Sequence, residues 1–180
     1  MVRIAHISDT HIRNLKFHKQ YRVAFDDMYK QLQELKPDYI VHCGDIAHRK
    51  TDISPELVDM TTDFLRNLAD IAPTHVILGN HDGNLRNDSR QDAITPIVDA
   101  MENPNVFLHK NSGEHNIGHD IILNVLSVFD KDNWLTEPSD NSKINIALYH
   151  GSVAGCKTDT GFMLEHGIDI SNLQNFDYAM

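Results

Sequence analysis

Four groups of residues in this chain have the types and spacing that could do chemistry. They are Asp9-Thr10-His11, Gly44-Asp45, Gly79-Asn80-His81-Asp82 and His150-Gly151, and each stands at the end of an expected strand. Carboxylate, imidazole and amide side chains are ligands for divalent cations, and residues two apart on an extended segment share a face, so Asp9 and His11 point the same way. An Asp-x-His or a Gly-Asp alone says little, since both are common in turns. An amide followed by an imidazole straight after a buried strand is rarely needed for a turn. The combination carries the argument, because open α/β sheets place their ligands at the carboxyl ends of strands.

The elements that must position these groups follow from periodicity. Residues 2–8 form a strand carried by Val2, Ile4, Ala5 and Ile7, expected to be buried on both faces. Residues 18–36 form a helix in which Tyr21, Ala24, Phe25, Met28, Leu32 and Leu35 recur at helical spacing, and Pro37 ends it. A second strand covers 38–43. Ser54-Pro55-Glu56 opens a helix with a serine cap, a proline in the first turn and an acid at the positive end of the dipole. A third strand, 74–78, completes a β-α-β-α-β pattern with short connections, which implies a parallel sheet. A helix is expected over 89–101 and strands over 106–109, 121–128 and 144–149, with a hairpin partner beginning at His115-Asn116. Residues 130–142 read as a polar loop, 151–167 as irregular, 168–175 as a helical turn and 176–180 as a strand.

A chain of 180 residues fits one domain, and its 41% hydrophobic content is ordinary globular usage. No apolar run is long enough to span a bilayer, and no signal-peptide pattern opens the chain. Cys43 and Cys156 lack metal-site spacing and read as reduced thiols of a cytoplasmic protein. The net charge of −10 argues against a free-standing nucleic-acid binder. It leaves room for an enzyme acting on phosphate esters, because bound metal ions supply local positive charge.

In combination, Asp9-x-His11, Gly44-Asp45, Gly79-Asn80-His81-Asp82 and His150 resemble the calcineurin-like metallophosphoesterase superfamily across essentially the whole chain. The resemblance implies an α/β fold of four layers, α-β-β-α, with two packed mixed sheets flanked by helices. It also implies two divalent metal ions. Asp9 and His11 would bind the first, Asp45 would bridge, and Asn80 and His150 would bind the second. Oxygen and imidazole ligands together suit Mn²⁺ first, with Fe²⁺, Zn²⁺ or Mg²⁺ as alternatives. His81 would face the phosphate as a charge stabiliser or proton donor, and Asp82 would orient it.

The branch is suggested by the residues after Asp45. His48 stands three positions beyond it, and Ser54-Pro55 opens the next helix, which is similar to the SbcD and Mre-type DNA-repair nucleases. The resemblance gives His48 a catalytic part at the scissile phosphate. His150-Gly151-Ser152-Val153 is closer to the phage recombination endonuclease subunits of that family, which would put the protein in the host cytoplasm. The implied function is a DNA exonuclease and endonuclease subunit in recombination and repair. Its implied partners are DNA, an SbcC-type ABC ATPase and a second copy of itself, with no membrane. A small-molecule phosphodiesterase or phosphatase, or a non-catalytic scaffold of the same fold, are the alternatives.

One departure stands out. The family closes its site with a Gly-[His/Asp]-x-His element after a strand like Phe176-Asp177-Tyr178-Ala179-Met180. Residues 1–180 are therefore expected to be a nuclease domain incomplete at its C-terminus, without capping or ATPase-binding regions and with weak metal occupancy. Other chemistry-bearing residues have plainer readings. His6 and His42 fit strand interiors; His18, His75, His109, His115, His119 and His166 fit surface or turn positions. Trp134 and Tyr149 fit packing better than base stacking, and Arg13, Arg49 and Lys50 fit solvated loops.

Overall fold

The computed structural model describes residues 1–87 and 90–180, which form two units, Met1–His109 and Lys110–Met180. In the first, four strands run parallel in spatial order β1 (Ile4–Ile7), β2 (Tyr39–Cys43), β3 (Thr74–Ile77) and β4 (Val106–His109). Every residue of β2 and β3 is buried, the polar His42, Thr74 and His75 included.

The first strand differs from its expectation. It lies at the edge of the sheet, only partly buried, and His6 is exposed. Four apolar residues among seven do not distinguish an edge strand from a central one; strand order does. His42 is the buried residue expected of it, its ring meeting Phe64 edge-on at 5.8 Å.

Helices α1 (His18–Leu35) and α2 (Pro55–Ile71) pack through Phe25 and Phe64, whose rings are 4.6 Å apart. Ser54 caps α2, its hydroxyl accepting the Leu57 N–H at 3.2 Å. The stripe expected on α1 is narrower than its spacing suggested: Phe25 and Leu32 are buried, whereas Ala24 and Leu35 are exposed. Helix α3 covers only Thr95–Met101; of the expected start, Ser89 lies outside the described residues. Asp92 holds the start instead, accepting N–H groups from Ile94 at 3.0 Å and Thr95 at 2.7 Å.

The second unit is a mixed sheet. β5 (Gly113–Gly118) and β6 (Ile121–Leu126) form an antiparallel hairpin, and β7 (Ile144–Tyr149) and β8 (Tyr178–Ala179) continue in parallel from β6. Its connections include two 3-10 turns, Lys131–Asn133 and Ile170–Asn172, so among the described residues the α-helices all belong to the first unit. Leu126, Ala147 and Phe176 make a small core with Trp134 and Tyr149 against it. The Trp134 indole N–H donates to the Ser127 carbonyl at 2.7 Å, so this ring is a packing element. No helix among the described residues is long and apolar enough to cross a membrane.

Candidate metal centre

The loops leaving β1 and β2 stay paired beyond the ends of their strands. Asp9 N–H donates to the Gly44 carbonyl at 3.1 Å, His11 to Asp45 at 2.9 Å, Ile12 to Ile46 at 2.7 Å, and His48 back to Ile12 at 2.9 Å. This ladder sets Asp9 and His11 beside Asp45. The His11 Nε2 atom is 3.5 Å from a carboxylate oxygen of Asp9 and 3.5 Å from one of Asp45.

The backbone is strained where these side chains converge. Asp9 (φ 56°), His11 (φ 45°) and Asp45 (φ 57°) all lie in the left-handed region. The other non-glycine residues there have local reasons: Phe17, Lys36 and Glu102 flank helix ends, and His119 and Asp120 turn the β5–β6 hairpin. Strain of this kind costs about 1–3 kcal/mol per residue and gathers at functional sites.

Asp82 anchors the loop after β2. Its buried carboxylate accepts N–H groups from Asp45 at 2.8 Å, Ala47 at 2.8 Å and Gly79 at 2.9 Å. Burial pushes its pKa up to about 6, against the pull of the Gly79 and Ala47 N–H groups, and the charge of Asp45 adds to the rise. The expectation that Asp82 orients His81 does not match these contacts, because its oxygens are spent on the backbone. The His81 ring instead places Nδ1 2.7 Å from the His48 carbonyl. That nitrogen must carry the proton, since a carbonyl only accepts, and the lone pair of the neutral ring is left on Nε2.

Gly79 has to be glycine. A Cβ there would lie 2.2 Å from an Asp45 carboxylate oxygen and 2.4 Å from the Asp45 nitrogen. The closeness of the two loops also lets the Asp45 carboxylate accept the His81 N–H at 2.8 Å. Tyr21 is a further residue whose position matters: from α1 its hydroxyl donates to the His11 carbonyl at 2.6 Å. Its helical spacing identified a packing residue and carried no sign of this bond.

The donor set fits a divalent cation. One ligand atom from each of Asp9, His11 and Asp45 lies within 4.8 Å of the others, and Asp45 is buried. A cation offsets the charge of carboxylates brought so close. Asn80 follows directly on Gly79 after β3, and the Lys50 ammonium donates to its carbonyl at 3.2 Å. His150 directly follows β7, in the second unit.

His48 joins the first-unit group from the β2 side, its ring 5.6 Å from that of His11 and 6.0 Å from that of His81. Burial, and then the neighbouring Arg13, His11, His81 and Arg49 charges, lower its pKa and favour the neutral ring. Two hollows open beside it. One, of about 270 Å³, is lined by Arg13, Asn14, Lys16, Arg49 and Asp52 among others; the second, of about 210 Å³, by Arg49, Lys50, Thr51, Asn80 and His81. Of the histidines read as surface or turn residues, His75 is instead buried on β3. Its ring stacks on His109 at 5.2 Å and on Phe107 at 4.8 Å.

Known proteins can be set beside this geometry. The chain is 40% identical over 177 residues to Uncharacterized protein R555 of Acanthamoeba polyphaga mimivirus, an alignment spanning 91% of this chain and 13% of that protein. It is 27% identical over 86 residues to the DNA double-strand break repair protein Mre11 of Methanosarcina mazei, spanning 45% of this chain and 14% of that one. Among solved structures it is similar to Pseudomonas putida nuclease MPE, with a TM-score of 0.41 and 16% identity, over 80% of this chain and 58% of that one. Residues 2–171 match the family described as Calcineurin-like phosphoesterase, and the chain belongs to that family.

Proposed function

We propose that this chain is the nuclease part of a metal-dependent DNA exonuclease and endonuclease, hydrolysing phosphodiester bonds in recombination and repair. The observation that carries the reading is His48. It stands between two open hollows whose rims bear Arg13, Lys16, Arg49 and Lys50, with Asp52 paired to Arg49 at 3.2 Å. A phosphomonoester needs one anion site; a polynucleotide extends on both sides of the bond being cut, and its flanking phosphates favour cations on both sides. The local basic rim answers the overall charge of −10, which would otherwise repel DNA. The likeness to a protein named for double-strand break repair also supports this reading.

Asp9, His11 and Asp45 would hold one divalent ion, and Asp45 and Asn80 would contribute to the other, with Mn²⁺ the first choice. When bound, such ions polarise a phosphate and make a water nucleophilic at neutral pH. The chain's own residues do the rest. Asp82 and the paired loops fix Asp45, so that little is left to reorganise during reaction. The His48 carbonyl fixes the His81 tautomer, and His81 donates from Nε2 only once that nitrogen also takes a proton. In that form it stabilises the phosphate or protonates the leaving oxygen. The neutral His48 ring lies beside it to position the ester. An ABC-type ATPase and a second copy of the chain are the proposed partners.

The test sets linear duplex DNA, a chromogenic diester and a monoester side by side with Mn²⁺. Preference for DNA, lost in His81→Ala and Asp45→Ala, is expected. Equal or better turnover of the monoester would overturn the nuclease assignment, and unchanged activity in both variants would overturn the site.

A further inference from the structure

Two ligand sets overlap at His11. One is mostly carboxylate: Asp9, His11 and Asp45. The other is all imidazole: His11, His48 and His81, with one ring nitrogen of each within 4.8 Å of the others. The three rings come from the loops after β1, β2 and β3. Their centres are separated by 4.8 Å for His11 and His81, 5.6 Å for His11 and His48, and 6.0 Å for His48 and His81.

Their nitrogens have room for a ligand. His81 spends Nδ1 on the His48 carbonyl, which leaves Nε2 to coordinate. The Nδ1 atoms of His11 and His48 are buried and make no hydrogen bond. Unsatisfied buried nitrogens are costly, and handling a phosphate requires neither of them. Ligand nitrogens in a tetrahedral zinc site stand about 3.3 Å apart, following from bonds of about 2.0–2.1 Å.

We propose that His11, His48 and His81 form a second cation site, selective for Zn²⁺, which competes with the carboxylate set for His11. Three imidazoles and a water suit a borderline-soft ion, whereas Mn²⁺ and Mg²⁺ favour sites with more oxygen. An ion there also occupies His48 and His81, so Zn²⁺ inhibits where Mn²⁺ activates. That inhibition rests on the hydrolytic function proposed above; the binding itself does not.

The test uses Co²⁺ as a visible probe on the whole chain, displaced by Zn²⁺, with Mn²⁺ binding followed by electron paramagnetic resonance. Wild type and Asp9→Asn are expected to give the intense tetrahedral cobalt band at one equivalent. In His48→Ala the band is lost and Zn²⁺ affinity falls at least about tenfold, while Mn²⁺ affinity stays within about twofold. Zn²⁺ binding unchanged in His48→Ala, or lost in Asp9→Asn, overturns the site. A measurement on wild type guards against misfolded variants: the ¹⁵N resonances of the His48 ring shift with Zn²⁺ and hold with Mg²⁺, and no shift with Zn²⁺ overturns the proposal. Zn²⁺ bound at these rings without loss of Mn²⁺-supported hydrolysis overturns the competition. Absence of hydrolysis under every ion would count against the nuclease assignment and leave the zinc site standing.

Discussion

Asp45 and Asp82 clamp each other's loops. The Asp82 carboxylate accepts the Asp45 N–H at 2.8 Å, and the Asp45 carboxylate accepts the N–H of His81, next to Asp82, also at 2.8 Å. Two buried acids therefore lock the ends of β2 and β3 together, and Asp82 fixes the backbone that carries the Asp45 carboxylate.

Asp82→Asn tests the clamp. An amide has one acceptor oxygen where the carboxylate has two, so at least one of the N–H groups of Asp45, Ala47 and Gly79 loses its partner. A loss of about 1–3 kcal/mol in chemical denaturation is expected. Mn²⁺ affinity should fall with it, by about tenfold or more in calorimetry. An unchanged unfolding midpoint would show that the clamp does not bear on stability.

Gly79→Ala should be worse than its single methyl group suggests. The added carbon would lie 2.2 Å from an Asp45 carboxylate oxygen, and Asp45 is buried and has little room to move. Overpacking of this kind costs about 1–3 kcal/mol. Gly155→Ala is the control, since nothing lies within 4 Å and only its φ of +82° resists the change. Comparing the two in thermal unfolding sets crowding against Asp45 beside left-handed backbone strain, which Gly79 lacks.

Much of this arrangement can be read from the chain itself, and the parts that cannot share a cause. Strands β4 and β7 and the Ser54 cap follow from composition and neighbouring residues, and the structure has them where expected. The Asp82 bonds to Asp45 and Ala47 join residues far apart in the chain, and a buried aspartate looks the same in sequence whether it faces an imidazole or a backbone. Tyr21 fits a helical stripe, which hides its bond to His11. His6 and His75 exchanged expectations, one exposed and one buried, because strand order and depth are tertiary facts.

Tyr21→Phe isolates the support beneath His11. It removes one hydroxyl and leaves the packing against Phe25, whose ring is 5.6 Å away. A stability loss of about 1 kcal/mol is expected. Mn²⁺ affinity should fall by less than about tenfold, since the bond reaches the His11 side chain only through its backbone. No change in either would make the hydroxyl incidental.

The two thiols should react very differently. Cys156 is exposed, whereas Cys43 is buried at the end of β2, and burial, then the Asp9 charge, pushes its pKa up to about 12. At pH 8 only about one Cys43 in ten thousand would be thiolate, the reactive form. A thiol reagent should label one residue quickly in the native chain and the second only on unfolding. Two fast thiols would contradict the burial of β2.

Asp45 is proposed as the meeting point of the metal-holding groups, beside Asp9 and His11. Calorimetric titration of the chain and of Asp45→Asn with Mn²⁺ tests this directly, with circular dichroism confirming that both are folded. Saturable binding in the wild-type chain, weakened at least about tenfold in the variant, is the predicted result. Equal affinity in the two proteins would place the ion elsewhere, away from Asp45.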